Sequence, residues 1–123
     1  GVGRTDGDGG MNVERARQGW AEALEGHPFI NADALIAECE RGEAVCWSGA
    51  HSDVFTRIDS GVLEIGPVAG DLREMLGMLP RIEAWARTAG ATQVHIQAGR
   101  EEWEHVLSPL GYAVAAVILR KTL

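Results

Sequence analysis

The sequence predicts an α+β fold in which helices pack on a mixed β-sheet, and three observations support this class. Apolar residues recur at helical spacing in two segments before residue 42 and in a long segment after residue 71. Three short segments between residues 44 and 66 alternate like strands and are joined by turn residues, which indicates an antiparallel meander. Another alternating segment follows the long helix, and such a strand is expected to lie parallel to the strand before it. The predicted order is α-α-β-β-β-α-β-α-β.

Composition and charge limit the partners. The chain has 123 residues, of which 46% are hydrophobic, and its formal net charge is −7. This composition suits one soluble domain with a real core. The acidic balance, without any run of Lys or Arg, argues against nucleic acid and against a membrane surface as partners. No apolar run approaches the roughly 18 residues of a membrane span. No signal-peptide pattern is present, so we expect a cytoplasmic protein.

The predicted domain begins after a glycine-rich segment. Residues 1–10 read GVGRTDGDGG, with five glycines and nothing that could be buried. We predict that residues 1–11 are a flexible tail and that residues 12–123 form a single domain. Met11 is an alternative start of the native chain, in which case the preceding residues belong to an expression tag or to an upstream segment.

The cysteines and histidines do not predict a metal site. Cys39 and Cys46 fall at predicted apolar positions and are expected to be free, buried thiols of a reducing compartment. Two cysteines cannot form a Cys-rich zinc site, and the four histidines lack ligand spacing. We therefore predict that no metal is bound.

Capping residues and alternation set the predicted element bounds. Asn12 caps a first helix over residues 13–25, and Asn31 caps a second helix that Gly42 ends. Strands are predicted over residues 44–50, 54–58, 62–66, 92–98 and 112–119, and a helix over residues 101–110. The helix residues predicted to face the core are Val13, Ala16, Trp20, Ala23, Leu24, Leu35, Ile36, Cys39, Trp103, Val106, Leu107 and Leu110. Alternation in the second strand places Val54, Thr56 and Ile58 on one face and Phe55 and Arg57 on the other.

The longest element is a helix that starts at Asp71. Asp71 is a good N-cap, and Glu74 three residues later completes a capping-box pattern. Gly90 stands where a helix ends with a left-handed residue. Pro80 lies inside, so we expect a kink or a short break near residues 78–79.

The chain resembles the GNAT (Gcn5-related N-acetyltransferase) superfamily over residues 12–122. The resemblance rests on the meander into VLEIGP, the helix end AWARTAG, the strand TQVHIQ and the ending WEHVLSPLGYAVAAVILRKTL. The short GPVAGDL loop, together with the AWA helix end and a G-R-x-x-W helix start, is similar to small GNAT-like proteins of phages and prophages. The resemblance implies transfer of an acetyl group from acetyl-CoA to an amine.

The loop before the long helix departs from the family pattern. The family holds the acetyl-CoA pyrophosphate with an Arg/Gln-x-x-Gly-x-Gly/Ala loop at the helix N-terminus. The corresponding residues 68–73 have one glycine and are followed by Glu74, and the carboxylates of Asp71 and Glu74 repel a phosphate. Two interpretations stay open: a well-capped helix without a ligand, or a degenerate acetyl-CoA loop. The cofactor-binding candidates in the second interpretation are Ile65, Gly66, Val68, Ala69, Gly70 and Arg73.

The candidate catalytic residues are Glu64 and Tyr112. The family's usual proton-donating Tyr stands four residues before the Gly-aromatic pair, where this chain has Leu107. The resemblance implies a Glu on the central strand as general base, and Glu64 occupies that place; the alternative is that Glu64 lies on the solvent side. Tyr112 carries a hydroxyl but more often such an aromatic packs. His95 is a weaker base candidate.

Two function classes remain. The first is an acyl-CoA-dependent N-acyltransferase or a degenerate relative, with an amine or a protein as acceptor. The second is a catalytically inactive GNAT-fold accessory of a phage or prophage, in the cytoplasm or associated with the virion, that binds a protein partner. Exposed tryptophans among Trp20, Trp47, Trp85 and Trp103 would favour this second class. The sequence leaves the oligomeric state open.

Overall fold

The computed structural model describes residues 3–5, 12–25, 30–97, 102–114 and 121–123. The elements in chain order are strand β1 (Gly3–Thr5), helices α1 (Val13–Ala23) and α2 (Ala32–Glu40), strands β2 (Val45–Ser48), β3 (Asp53–Asp59) and β4 (Val62–Ala69), helix α3 (Leu72–Thr88), strand β5 (Gln93–Ile96), helix α4 (Glu102–Leu107) and a 3₁₀ turn (Ser108–Leu110). None of the helices in these ranges is long and apolar enough to cross a membrane.

The described strands form one mixed sheet in the order β1-β2-β3-β4-β5. Strands β2, β3 and β4 are antiparallel neighbours, and β5 lies parallel to β4. The predicted α+β class, the meander and the parallel strand after the long helix are confirmed. Strand β1 was not predicted: Gly3–Thr5 pairs with residues 46–48 of β2 although its segment was expected to be flexible. Backbone groups alone make this pairing, so glycine content and a lack of apolar residues did not exclude it.

Helices cover both faces of the sheet, and each face has its own core. The α3 face is built on Val54, Leu63 and Ile65 of the sheet and on Met75, Met78, Leu79 and Ile82 of α3. The opposite face is built on Cys46 and Phe55 of the sheet and on Ala16, Trp20, Leu35, Ile36 and Cys39 of α1 and α2. The predicted alternation along β3 is confirmed, because Val54 and Phe55 enter different cores.

The predicted caps explain where the helices begin. The side chains of Asn12 and Asn31 accept backbone N–H groups of the first turns of α1 and α2. Helix α3 begins after Asp71 as predicted and runs unbroken through Pro80, so the expected break is wrong, whereas the kink near residues 78–79 stays a prediction. A proline removes one helical hydrogen bond, but the buried Leu79 and Ile82 beside it hold both halves of α3 on the same core.

Strand β4 is longer than predicted. It was expected to end at residue 66, but it continues to Ala69, where Val68 and Ala69 pair with Val54 and Asp53 of β3. A register shift near Phe55, a β-bulge, lets this pairing resume after Gly66. The connection from β4 to α3 is therefore reduced to Gly70 and Asp71.

The C-terminal region is only partly as predicted. Helix α4 ends at Leu107, which is buried as expected, and continues as the 3₁₀ turn. Leu110 was expected to face the core but is 54% exposed, because the 3₁₀ turn rotates it off the helical face. Residues 112–114 are not in a strand, and the remainder of the strand predicted up to residue 119 lies outside the described residues.

Candidate functional site

In the described part of the chain, the pairing of strands β4 and β5 ends in the middle of the sheet, at a point that we call the divergence. Their parallel pairing runs from Val62 and Gln93 to Ile65 and Ile96, and the Gln97 N–H then donates to the Ile65 carbonyl at 3.4 Å. In the described ranges, β4 continues for four more residues with β3 as its strand partner. A strand edge of this kind can pair with an extended ligand that carries amide groups.

A polar row crosses the sheet one residue before this divergence. It consists of Arg57, Glu64 and His95, which occupy matching positions on β3, β4 and β5. Residues in register on neighbouring strands project from the same face. That face is the one covered by α1 and α2, because Arg57 also binds Glu38 of α2. The Glu64 side chain is 39% exposed, so it is open to solvent at the divergence.

The carboxylate of Glu64 is held by Arg57. Both Nε and Nη2 of Arg57 donate to its Oε2 atom, at 3.0 and 2.8 Å, while Nη1 donates to Glu38 at 2.7 Å. Hydrogen bonds with Glu64, and then with Glu38, raise the pKa of Arg57, so this cation is permanent. Among the described residues, none donates a hydrogen bond to the other oxygen of Glu64, Oε1, so this atom can accept a proton from a ligand. The row thus offers a carboxylate of fixed orientation.

Tyr112, the other catalytic candidate, lies on the opposite face. Its hydroxyl donates to Glu83 of α3 at 2.6 Å, and its ring packs on the α3 core. Burial, and then the Glu83 carboxylate, raise the pKa of Tyr112, which makes it a poor proton donor. The structure therefore does not bring Glu64 and Tyr112 into one site.

The start of α3 is closed by the chain itself. The Asp71 carboxylate accepts the N–H groups of Arg73 and Glu74 at 2.8 and 3.4 Å, and the Ser52 hydroxyl accepts the Asp71 N–H at 2.9 Å. Glu74 does not return to Asp71 as the capping-box pattern predicted. It reaches instead across to the β2–β3 hairpin, where it accepts the His51 N–H at 2.9 Å.

The β2–β3 hairpin packs closely against the start of α3 at Gly70. Gly70 has φ +105°, and a Cβ atom there would overlap the carbonyl oxygen of His51. Burial opposes ionisation of Glu74, but its hydrogen bonds with His51 and Ser52 bring its pKa below the usual range. Of the cofactor-binding candidates, Ile65 is paired with β5, and Gly66, Val68 and Ala69 lie on β4 beyond its described pairing with β5. Gly70 lies against the hairpin and Arg73 in the closed helix turn.

A buried ion pair fixes this hairpin and was not predicted. Asp53 is 1% exposed and accepts Nε and Nη2 of Arg15 from α1 at 2.8 and 2.9 Å, and the Ser48 hydroxyl at 2.6 Å. Arg15 also donates to the carbonyl groups of Gly49 and Ala50. The signal in the sequence was an Asp adjoining the apolar run VFT, since a carboxylate at the edge of a core needs a cation.

The two cysteines and three of the four tryptophans are structural. Cys39 and Cys46 are free and buried, as predicted, and burial raises their pKa values to about 11 and about 12. Such thiols stay protonated and do not act as nucleophiles at neutral pH. Trp20 and Trp47 are buried, and Trp85 packs edge-on against Trp47 with ring centres 5.6 Å apart. These three tryptophans are not exposed anchors.

Comparisons with known proteins identify the fold. No family profile matches the chain, and no curated protein matches its sequence. The aminoglycoside N-acetyltransferase AAC(6')-Iy, in complex with CoA, superposes with a TM-score of 0.58 at 15% identity, over 89% of this chain and 88% of that one. A Pyrococcus furiosus protein that carries the name of an acetyl transferase gives 0.60 at 13% identity, over 91% and 94%. The TTHA1254 protein of Thermus thermophilus gives 0.54 at 18% identity, over 91% and 90%. The chain therefore shares the GNAT fold of these proteins.

Proposed function

We propose that this chain is an N-acyltransferase that takes an acyl group from a thioester and transfers it to an amine. The observation that carries the proposal is the divergence of β4 and β5 next to the fixed carboxylate of Glu64. The edge of β4 beyond its described pairing with β5 can bind the amide-containing arm of an acyl thioester as an added strand. The described residues fit this arm, but they do not fit a diphosphate at the start of α3.

In the proposed reaction Glu64 is the general base. The amine nitrogen attacks the thioester carbonyl carbon, the C–S bond breaks, and an amide and a thiol are formed. Glu64 removes the proton that the amine loses, and that proton is available for the departing sulfur. Arg57 positions the Glu64 carboxylate through the two hydrogen bonds that it donates to Oε2. No role is assigned to Tyr112.

The acceptor in this proposal is a cationic amine. Glu38 and Glu64 lie on the same face, and the chain as a whole has a formal net charge of −7. An acidic surface attracts cations over distances set by the ionic strength. A cationic acceptor gives one proton to solvent before it attacks, and Glu64 takes the second proton from the attacking nitrogen.

A second candidate is an inactive binding module, including the phage or prophage accessory that the sequence suggested. One observation favours it: the helix start that holds an anion in the family is occupied by Asp71 and Glu74. In this alternative the Glu64 carboxylate serves only as the ion-pair partner of Arg57. The burial of Trp20 and Trp47 gives this candidate no aromatic anchor at these two positions.

The test measures thiol released from acetyl-CoA and acetyl-pantetheine with a panel of primary amines. Loss of a general base lowers the rate by about 100-fold or more, and Glu64→Gln keeps the hydrogen bonds with Arg57. The matched control is Glu40→Gln, at an exposed position of α2. We expect Glu64→Gln to lose transfer and Glu40→Gln to keep it. Absence of amine-dependent thiol release with both donors would leave the binding module as the function.

A further inference from the structure

We infer that the acyl donor is recognised through its thioester and pantetheine arm alone, and that the site discriminates against a diphosphate. This inference rests on the proposed function and names its donor class: an acyl-pantetheine thioester, for which the nucleotide of CoA adds no affinity.

Three backbone N–H groups at the start of α3 that could hold a diphosphate are already used. The N–H groups of Asp71, Arg73 and Glu74 donate to Ser52 and Asp71 within the chain. The His51 N–H, which faces the same place, donates to Glu74. A phosphate would have to displace carboxylates that are covalently part of the chain and therefore always present.

The charge at this place has the wrong sign for an anion. A helix N-terminus is equivalent to about half a positive charge, whereas Asp71 and Glu74 bring two carboxylates to it. Arg73 is the only cation in this first turn and offsets one of these carboxylates, so that about half a negative charge remains. The net field at the start of α3 therefore disfavours a diphosphate.

The direction of β4 places the end of a bound arm that is farthest from the thioester at the start of α3. From Ile65 to Gly70 the strand spans roughly 17 Å at about 3.3 Å per residue. An arm that is paired along this edge, with its thioester near Glu64, ends beside Gly70 and Asp71. The end of the donor farthest from the thioester therefore lies next to the carboxylates of Asp71 and Glu74. A donor with a neutral group at this end avoids the repulsion that a diphosphate meets.

Calorimetry with acetyl-CoA and acetyl-pantetheine tests the inference. For the native chain we expect acetyl-CoA to bind no more tightly than acetyl-pantetheine, because its diphosphate meets the carboxylates of Asp71 and Glu74. The double variant Asp71→Asn/Glu74→Gln keeps both acceptor oxygens and removes both charges. It should bind acetyl-CoA about fivefold more tightly, as expected when two dipole-adjacent carboxylates are neutralised. Its affinity for acetyl-pantetheine should not change.

The matched control removes two exposed carboxylates elsewhere, with Glu40→Gln and Asp59→Asn. It should leave the ratio of the two affinities unchanged. Acetyl-CoA that binds the native chain more than about fivefold more tightly than acetyl-pantetheine would overturn the inference while the transferase proposal stands. An equal gain for both ligands in the double variant would also overturn it. If neither thioester binds the native chain, the proposed function itself is wrong.

Discussion

Replacing Arg15 by Met should destabilise the protein far more than its surface position suggests. The substitution keeps an apolar stem and removes the guanidinium that pairs with Asp53, whose side chain is 2% exposed. Breaking a buried ion pair by removing one partner costs about 3–5 kcal/mol. Because the side chain of Arg15 is itself 37% exposed, the low end of that range, about 3 kcal/mol, applies.

The same helix provides the control. Arg17 also binds two carboxylates, Glu14 and Asp33, but both are about four-fifths exposed. Exposed ion pairs contribute about 0–1 kcal/mol, so Arg17→Met should cost less than about 1 kcal/mol. The two variants differ in burial and not in the type of side chain removed.

Urea denaturation measures both costs, and thermal unfolding gives an independent value. With about 2.1 cal/mol/K of unfolding entropy per residue, a loss of about 3 kcal/mol lowers the Tm of a 123-residue chain by about 12 °C. Adding Asp53→Asn to Arg15→Met should restore part of the loss, because the buried charge is then gone. Equal costs for Arg15→Met and Arg17→Met would refute the reasoning from burial.

Three further predictions concern the packing at Gly70, the pH dependence of stability and the role of Tyr112. Gly70→Ala should cost at least about 2 kcal/mol in urea denaturation, since φ is positive and the new Cβ overlaps the His51 carbonyl, whereas Gly77→Ala at an open helix position should stabilise by about 0.8 kcal/mol. Burial raises the pKa of Cys46 from 9.0 to about 12, so its contribution to stability is complete below pH 9 and is lost as the pH rises towards 12; Cys46→Ala should flatten the decline measured between pH 9 and 11, and an unchanged slope would contradict this. Tyr112→Phe removes the hydrogen bond to Glu83 and should cost about 1 kcal/mol without changing acyl transfer; a large loss of transfer would assign Tyr112 a role that this account denies.

Local chemistry made much of the fold predictable. Asn12, Asn31 and Asp71 cap helices because their side chains can accept N–H groups of the next turn, and that signal is contained in a few residues. The alternation of Val54 and Phe55 likewise needs no knowledge of the partner strands. The α+β class, the meander and the parallel strand β5 followed from these patterns.

Long-range pairing accounts for what the sequence did not predict. The GPVA segment was interpreted as a loop because of its Gly and Pro, but β3 offers partners to Val68 and Ala69 beyond a bulge. Glu74 has its partner in the β2–β3 hairpin, which is 23 residues away in sequence. For the candidate site, the placement of Glu64 on the central strand was predicted, whereas its ion pair with Arg57 depends on the register between two strands.

The central claim is the proposal that an acyl-pantetheine arm lies along β4 beyond its described pairing with β5. The most direct measurement is an NMR titration of the ¹⁵N-labelled chain with acetyl-pantetheine. The account predicts that the largest shifts of backbone amide signals occur at Glu64, Gly66, Val68 and Ala69, with little change at Tyr112. Shifts centred on Tyr112 and Glu83 would contradict it. The absence of any shift at a millimolar concentration of ligand would also contradict it, because the binding free energy would then be smaller than about 4 kcal/mol.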